Sequence, residues 1–415
     1  MGSLSRNKRK IINDPVYGFV TISSELLFDL IEHPWFQRLR RIRQLGMTGL
    51  VYPGALHTRF HHAIGAMHLM QEAIETLRFK GIAITDQEAE STLIAILLHD
   101  IGHGPYSHAL ENSIVSGTTH EEISLLIMQQ LNRQFDHRLE DAIAIFTNQY
   151  PKRFLHQLVS SQLDMDRLDY LKRDSFYTGV SEGVTNTERI IKMLMVHNDE
   201  LVVEEKGIYS IEKFIVARRL MYWQVYYHKT VVAAENMLIR LLARAKMLAE
   251  TGYTVYATPA FDFFLKNTFG KEDFQSQPEL IENFALLDDY DVFTSIKYWT
   301  HHDDAVLSIL SNALVNRQLF RIELQDRPFS ETTIFEVKAA ILKNYPETDA
   351  AGAEYLLSYG SITNNAYIPG NDKISILKRD GSITDIAVSS DQLNISLLTN
   401  AVTKYFLCYP KNIIT

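Results

Sequence analysis

The feature that most constrains the fold is an apolar run that ends in an adjacent histidine and aspartate, His99 and Asp100. The apolar residues 93–98 predict a buried helix, and Gly102 predicts its end. Adjacent helical side chains point about 100° apart, so the pair can face one ligand only near a helix end. An imidazole beside a carboxylate suits Fe, Mn, Zn, Ni or Mg. A lone pair of this kind is more often the capped end of a core helix, so the metal hypothesis depends on further donors.

Bulk composition sets the class of protein. The sequence has 415 residues, of which 46% are hydrophobic, enough for one large domain or a large and a small one. Its single cysteine, Cys408, excludes a disulfide and a cysteine-based zinc site within this sequence. No apolar run reaches the roughly 20 residues of a membrane span, and the polar N-terminus lacks a signal-peptide core. We therefore expect a cytoplasmic protein with no membrane partner.

The distribution of charge and of histidine further limits the classes of partner that the protein is expected to bind. The formal net charge is −9, which disfavours a broad nucleic-acid surface because such surfaces are usually basic. Nucleic acid stays possible without being indicated by charge, and a nucleotide needs only a metal and a few arginines in one pocket. Of the 15 histidines, eight lie between His57 and His120. This clustering indicates that the segment carries chemistry.

Apolar spacing and capping signals predict a mainly α fold for residues 1–319. After a turn at residues 13–18 and a start signal at residues 23–24, helices are predicted over residues 26–31, 36–42, 57–80, 86–98, 120–131, 158–177, 188–195 and 210–248. A short hairpin is predicted from residues 201–203 and 208–209. Residues 320–415 are expected to form a small α+β C-terminal lobe, with strands predicted over residues 332–337, 374–377 and 384–388.

Two other predicted helices supply further candidate donors, so that the full set comes from three helices. The candidate metal ligands are His62, His99, Asp100 and Asp166, a set that leaves coordination positions for water and a substrate oxygen. Histidine has a reference pKa of about 6.5, which suits proton transfer at neutral pH. The candidate acid and base groups are therefore His103, His108 and His120, with Glu111 to orient an imidazole.

Several of these residues also have an ordinary structural interpretation. His120 is typical of a helix start capped by Thr118 or Thr119. Asp164 and Asp169 are either solvated or paired with a neighbouring cation such as Arg167 or Lys172. The arginine-rich face of residues 38–41 is either an ordinary solvated surface or an anion site. The histidines expected to be exposed on a helix, and therefore outside the site, are His57, His61 and His68.

The set His62…His99-Asp100…Asp166 resembles the H…HD…D signature of the HD-domain phosphohydrolase superfamily. Further segments resemble its deoxynucleoside triphosphate (dNTP) triphosphohydrolase branch, typified by enzymes that also carry a sterile-α-motif domain: residues 12–15, 36–40, 52–55, 99–108, 164–170 and 226–229. The resemblance covers about residues 8–240 and includes no sterile-α-motif segment. The C-terminal lobe looks more like that of bacterial HD-domain relatives. The HD pair alone is a weak signal, whereas the combination is specific.

The resemblance implies an HD-domain helical core that hydrolyses a dNTP at the α-phosphorus to deoxynucleoside and inorganic triphosphate. It implies one or two metal ions on the four candidate ligands. His120, aided by Glu111, would act on the leaving 5′-oxygen, and His103 and His108 would contact the α-phosphate. The implied substrate-binding residues are Arg59, Arg167 and Arg218 for phosphate, Gln44 and Asp174 for the 3′-hydroxyl, Leu45 and Tyr170 against C2′, and Tyr226 and Asp164 in the pocket.

The same resemblance implies a regulatory site. The residues that match a guanine-nucleotide activator site at a subunit interface are Lys10, Glu32, Gln37, Arg40, Val51 and Tyr52. A working site there implies a homodimer or homotetramer. Glu111 and Glu32 stand where the branch has aspartate, and Arg167 stands where it has lysine. Two rival functions stay open: an HD phosphohydrolase acting on another nucleotide phosphoester, and a non-catalytic nucleotide or nucleic-acid sensor.

Overall fold

The computed structural model describes residues 10–106, 109–110, 114, 117–370, 373–390, 395 and 399–413. It is 58% helical, which confirms the mainly α fold. The helices are α1 (Glu25–Glu32), α2 (Pro34–Gln37), α3 (Arg59–Phe79), α4 (Asp86–Leu98), α5 (His120–Gln134), α6 (Glu140–Phe146), α7 (Arg153–Val159), α8 (Met165–Thr178), α9 (Thr187–Met193), α10 (Ile208–Met221), α11 (Lys229–Glu250), α12 (Pro259–Lys266), α13 (Lys271–Ser276), α14 (Pro278–Phe284), α15 (Asp289–Trp299), α16 (Ala305–Val315), α17 (Glu331–Asn344), α18 (Ala350–Tyr355) and α19 (Ile386–Ser389). Among these described helices, none has the length and apolar character that crossing a membrane requires.

The strands form three small sheets. They are β1 (Ile11–Asp14), β2 (Gly18–Thr21), β3 (Leu194–His197), β4 (Glu200–Glu204), β5 (Arg321–Gln325), β6 (Ser358–Asn364), β7 (Ser375–Leu377), β8 (Ile383–Asp385) and β9 (Val402–Tyr409). The sheet orders are β1-β2, β3-β4-β7-β8 and β5-β9-β6. Strand β7 runs parallel to β4, so a C-terminal strand extends a hairpin of the helical region. The domain boundary between residues 319 and 320 stays a prediction.

The long helix α3 positions the site because it packs against both α4 and α8. It is buried on most of its surface, as expected of a helix surrounded by other elements. Helix α4 begins with a capping box in which Thr85 and Glu88 each accept a hydrogen bond from the other's backbone N–H. It runs from Asp86 to Leu98, as predicted, and delivers His99 and Asp100 at its end.

Three sequence predictions about element type were wrong. Residues 332–337 form the start of α17, because Ser330 caps a helix there and Val337 and Ile341 are buried at helical spacing. The strand predicted over residues 384–388 ends at Asp385, whose side chain accepts from the N–H of Ala387 at the start of α19. The strand at residues 201–203 does form a hairpin, but its partner is β3 rather than residues 208–209.

Two long predicted helices are each divided in the structure. Residues 158–177 are split between α7 and α8, because the carboxylate of Asp164 accepts from the backbone N–H of Arg167 and starts a new helix. Residues 210–248 are split by a π-helical turn over Tyr222–Tyr226, after which His228 caps α11. Both breaks lie beside the candidate site, and π turns are frequent at such positions.

Candidate active site

The four predicted metal ligands converge from α3, the end of α4 and the first turn of α8. The His62 Nε2 atom lies 3.1 Å from Asp166 Oδ1 and 3.4 Å from His99 Nε2. The His99 Nε2 atom lies 3.6 Å from Asp166 Oδ1 and 3.4 Å from Asp100 Oδ1. His62, His99 and Asp166 therefore form one group of donor atoms that could hold a divalent ion, and Asp100, beside His99, belongs to a second such group with His103 and His120.

Hydrogen bonds to the other ring nitrogens orient both imidazoles for metal binding. The His62 Nδ1 atom lies 2.7 Å from Asp169 Oδ2, and the His99 Nδ1 atom lies 2.6 Å from the carbonyl oxygen of Ile96. Because those partners accept hydrogen bonds, both Nδ1 atoms carry protons, and a bound ion would take the place of any proton on the Nε2 atoms. This orientation is the usual one for metal-ligating histidine, so these residues fit a divalent ion.

The electrostatics of the cluster also fit a cation. Burial disfavours the charged form of His62, yet hydrogen bonds to Asp166 and Asp169 raise its pKa to about 10. Burial likewise opposes ionisation of Asp166, but hydrogen bonds to His62 and His99 hold its pKa far below the usual range. The cluster therefore concentrates buried negative charge that positive charge must balance, which is the environment that a divalent ion occupies.

The predicted catalytic histidines lie beside Asp100, next to the metal-ligand cluster. His103 Nε2 lies 3.2 Å from Asp100 Oδ1, and its ring stacks on that of His120 with centroids 3.8 Å apart. Burial and the Arg59 guanidinium hold the pKa of His103 well below its usual value. His120 is the first residue of α5, which Thr119 caps. His120 therefore begins a helix, as expected, and lies against His103, while its catalytic role stays a prediction.

Two further predicted catalytic residues lie outside the described residues. These are His108 and Glu111, and their roles stay predictions.

A cavity of about 350 Å³ adjoins the cluster and contains several predicted substrate residues. It is lined by Gln44, Leu45, Arg59 and Tyr226 among others. Arg59 joins the cavity to the cluster, because its Nη1 atom donates to Asp100 Oδ2 at 2.6 Å. The Oε1 atom of Gln44 is buried without a hydrogen-bond partner among the described residues. That acceptor suits a ligand hydroxyl.

Asp174 connects the cavity-lining Tyr226 to His57. Its Oδ2 atom accepts from the Tyr226 hydroxyl at 2.7 Å, and its Oδ1 atom lies 2.7 Å from His57 Nε2. The Tyr170 ring lies edge-on to that of Tyr226, with centroids 6.2 Å apart. The predicted sugar-binding residues Asp174, Tyr170 and Tyr226 are therefore neighbours, and His57 is a buried member of the group rather than the exposed helical residue that was expected.

The remaining predicted substrate residues flank this group. Arg167 donates from Nε to the Ser161 carbonyl oxygen at 2.6 Å and lies 3.2 Å from Asp164 Oδ2. Asp164 also caps α8, so its carboxylate already serves the protein backbone. Arg218 lies 6.0 Å from the centroid of the Tyr222 ring, which lines the cavity. These contacts explain the structural role of Asp164, and its contact with substrate stays a prediction.

Comparison with known proteins agrees with this geometry. The HD domain matches residues 59–174, and the HD associated region matches residues 185–262. A solved phosphohydrolase from Bacteroides thetaiotaomicron has 55% sequence identity and a TM-score of 0.93, covering 97% of this chain and 99% of that one. The uncharacterized protein YwfO of Bacillus subtilis is 33% identical over 100% of this chain and 94% of that protein. The chain belongs to the HD-domain phosphohydrolase family.

More distant relatives include named nucleotide hydrolases. The deoxynucleoside triphosphate triphosphohydrolase SAMHD1 homolog of Dictyostelium discoideum is 32% identical over 253 residues, which are 56% of this chain and 49% of that protein. This HD-domain phosphohydrolase therefore spans about half the length of that relative.

A chain of buried ion pairs behind His62 was missed from the sequence. Arg173 donates to Asp169 through Nε and Nη2, each at 2.9 Å, and Nη1 donates to Asp14 Oδ2 at 2.7 Å. Gly65 of α3 makes room for it, since a Cβ there would lie 2.0 Å from the Arg173 guanidinium. The spacing of four residues between Asp169 and Arg173 was the available signal. Nothing local pointed to Asp14, which comes from the N-terminal hairpin.

The arginine-rich segment after α2 includes one arginine that is buried and bound to backbone carbonyl oxygens, which neither of the two interpretations of this segment included. Arg38 is fully buried and donates from Nη2 to the carbonyl oxygens of Ile101 and His103, at 2.7 and 3.0 Å. Its Nη1 atom donates to the carbonyl oxygen of Leu287 at 3.0 Å. Arg38 therefore fixes the backbone that follows the HD pair in this phosphohydrolase, a role that only tertiary contacts reveal.

The predicted activator residues form two groups in the single chain. Arg40 donates from Nε to Gln37 Oε1 at 2.8 Å. Burial lowers the pKa of Arg40, and the negative charge of Glu32 partly offsets that effect. Tyr52 lies near the junction of α10 and α11, where its hydroxyl donates to the Gln224 carbonyl oxygen. The described contacts do not test the activator site, so it stays a prediction for all six residues: Lys10, Glu32, Gln37, Arg40, Val51 and Tyr52.

Proposed function

We propose that this HD-domain phosphohydrolase hydrolyses deoxynucleoside triphosphates to deoxynucleoside and inorganic triphosphate. One observation carries the proposal: Arg59 links Asp100 of the predicted metal site to a cavity of about 350 Å³, which Gln44, Leu45 and Tyr226 of the predicted substrate residues also line. A nucleotide in the cavity would present its phosphates to the cluster. The named hydrolase among the relatives supports the same substrate class.

In the proposed reaction, separate residues would hold the metal, bind the phosphates and transfer the proton. A divalent ion held by His62, His99, Asp100 and Asp166 would supply an activated water and neutralise phosphate charge. Arg59 lies beside Asp100, so it is placed to bind the phosphate that faces the cluster, and Arg167 and Arg218 would bind the outer phosphates. His120 would donate a proton to the leaving 5′-oxygen, while His103, with its lowered pKa, remains neutral and contacts the α-phosphate.

Deoxyribose selection follows from the side chains around Asp174. Gln44 and Asp174 would hydrogen-bond the 3′-hydroxyl, which can donate to one of their oxygens and accept from the Gln44 amide group. Leu45 and Tyr170 would crowd C2′. A ribose 2′-hydroxyl placed against them would lose its hydration without gaining a partner, which is costly.

Product analysis tests the proposal. The metal-loaded protein is incubated with each of the four dNTPs and with GTP, alone and mixed, and the phosphate product is identified. We expect inorganic triphosphate and deoxynucleoside from dNTPs. Release of pyrophosphate or monophosphate would favour an HD phosphohydrolase acting on another phosphoester. Salt-dependent binding of single-stranded nucleic acid without any hydrolysis would favour a sensor, because phosphate contacts release counterions.

We further propose that a guanine nucleotide activates the enzyme by binding between subunits of a homodimer or homotetramer in the cytoplasm. The cation Arg40 and the acidic Glu32 lie close together on the surface near α1 and α2. A phosphate and a guanine edge require those two kinds of group. The second group, around Tyr52, would come from a neighbouring subunit.

The activator is tested by titrating GTP into a dATP hydrolysis assay while the oligomer mass is followed by light scattering. We expect turnover and mass to rise together, since a ligand that binds between subunits stabilises the assembly. Arg40→Ala should lose both responses, whereas Arg133→Ala, at an exposed position of α5, should keep them. Flat turnover with constant mass would refute the activator site.

A further inference from the structure

One acidic side chain of the cavity has no role in the reaction proposed above. Glu235 lies on α11 one turn before Leu238, and both line the cavity. In the described part of the chain, no hydrogen bond or ion pair reaches the Glu235 carboxylate. Glu235 is partly buried, and a carboxylate that loses water without gaining a partner is costly to the folded protein. Such a group in a ligand cavity points to a role in binding.

The described contacts place Glu235 beside tyrosines of the cavity. Burial raises the pKa of Glu235 to about 7. Burial and the charges of Tyr222 and Glu235 raise the pKa of Tyr227, so Glu235 lies near these two tyrosines.

The walls near Glu235 suit a planar ring. Tyr222 and Tyr227 line the cavity with ring centroids 5.6 Å apart, and Met47 and Leu45 supply apolar surface. Aromatic side chains stack on every nucleobase and give little discrimination between them. A hydrogen-bonding group at the ring edge is then what selects one base.

We propose that Glu235 selects the base of the substrate and that the selected base is guanine. The inference rests on the proposed function and names the substrate class of the same site. Guanine presents two adjacent donors, N1–H and an N2 amino hydrogen, which match the two oxygens of one carboxylate. Adenine, cytosine and thymine each place a ring or carbonyl acceptor beside their donor, and that acceptor repels the second oxygen.

The test compares kcat/KM for dGTP and dATP in the wild type and in Glu235→Gln, with GTP in excess to saturate the predicted activator site. Glutamine keeps the size of the side chain but replaces one acceptor with a donor. The dGTP to dATP ratio should fall about 10- to 100-fold, the usual range for a paired base contact. Glu282→Gln, an exposed matched control on α14, should keep the wild-type ratio.

Three outcomes of this comparison would overturn the proposal. An unchanged ratio, or a wild type that does not prefer dGTP, removes Glu235 as the selecting residue. An equal loss for both substrates makes it a packing residue.

If no dNTP is hydrolysed, the proposed function fails separately, and base selection is tested by calorimetric binding of deoxyguanosine and deoxyadenosine to the metal-loaded protein. Equal affinities for the two nucleosides in the wild type would then refute the selection of guanine. A deoxyguanosine preference that Glu235→Gln abolishes would uphold it.

Discussion

Asp166→Asn is expected to abolish hydrolysis while the protein keeps its fold. Asp166 Oδ1 faces both His62 Nε2 and His99 Nε2. Asparagine has the same size as aspartate, and the side chain is 29% exposed, so the substitution should not disturb packing. The amide removes one negative charge from the cation site. Loss of a residue that only orients a metal ligand lowers metal affinity or activity about 10- to 100-fold. Loss of a ligand itself should lower activity at least about 100-fold.

The measurement pairs the hydrolysis rate with the metal content per chain. Asp303→Asn is the matched control, because Asp303 is exposed and precedes α16 far from the cluster. We expect the Asp303 variant to keep both values and the Asp166 variant to lose both, with unchanged helical circular dichroism. Full metal content together with a wild-type rate in Asp166→Asn would show that the ion is held elsewhere.

Arg173→Met is expected to give the largest loss of stability among single substitutions near the site. Arg173 is fully buried and pairs with Asp14 and Asp169, so its removal takes the shared cation from two buried carboxylates. Breaking a buried ion pair on one side costs roughly 3–5 kcal/mol of unfolding free energy. Metal affinity should fall as well, because Asp169 also orients His62.

Urea unfolding of the metal-free protein measures this loss. Lys172→Met is the control, since Lys172 stays near the surface with its ammonium 4.5 Å from the centroid of the Tyr17 ring, a contact worth about 1 kcal/mol. Should Arg173→Met fail to fold, Asp14→Asn removes one carboxylate and should cost less. Unfolding free energies equal to wild type in both variants would mean that the network contributes nothing net to stability.

The helices that carry the site were largely predictable because their signals are local. Thr85 and Glu88 form a capping box, and the apolar run that follows ends at Leu98, so α4 could be bounded from sequence alone. Thr119 was likewise recognisable as the cap before His120. The prediction failed where composition misled it: residues 332–337 are mostly β-branched or aromatic, as in a strand, yet burial in α17 follows helical spacing.

Much of the candidate site could be predicted from the donor residues and their order along the chain. His62, His99, Asp100 and Asp166 could be named from sequence because a metal site needs this mixture of imidazole and carboxylate. The residues that support it could not. Spacing within an element cannot show which distant residues share a desolvated space.

The sequence by itself therefore determined the helices, their caps and the chemical identity of the donors, since these depend on residues a few positions apart. Only the tertiary structure decided that Asp14 pairs with Arg173 behind His62, and that Arg38 binds the carbonyl oxygens after the HD pair. It also placed Glu235 at the wall of the cavity. The physical reason is burial: a charged side chain removed from water must find a partner or serve a ligand, and long-range packing alone sets which one is within reach.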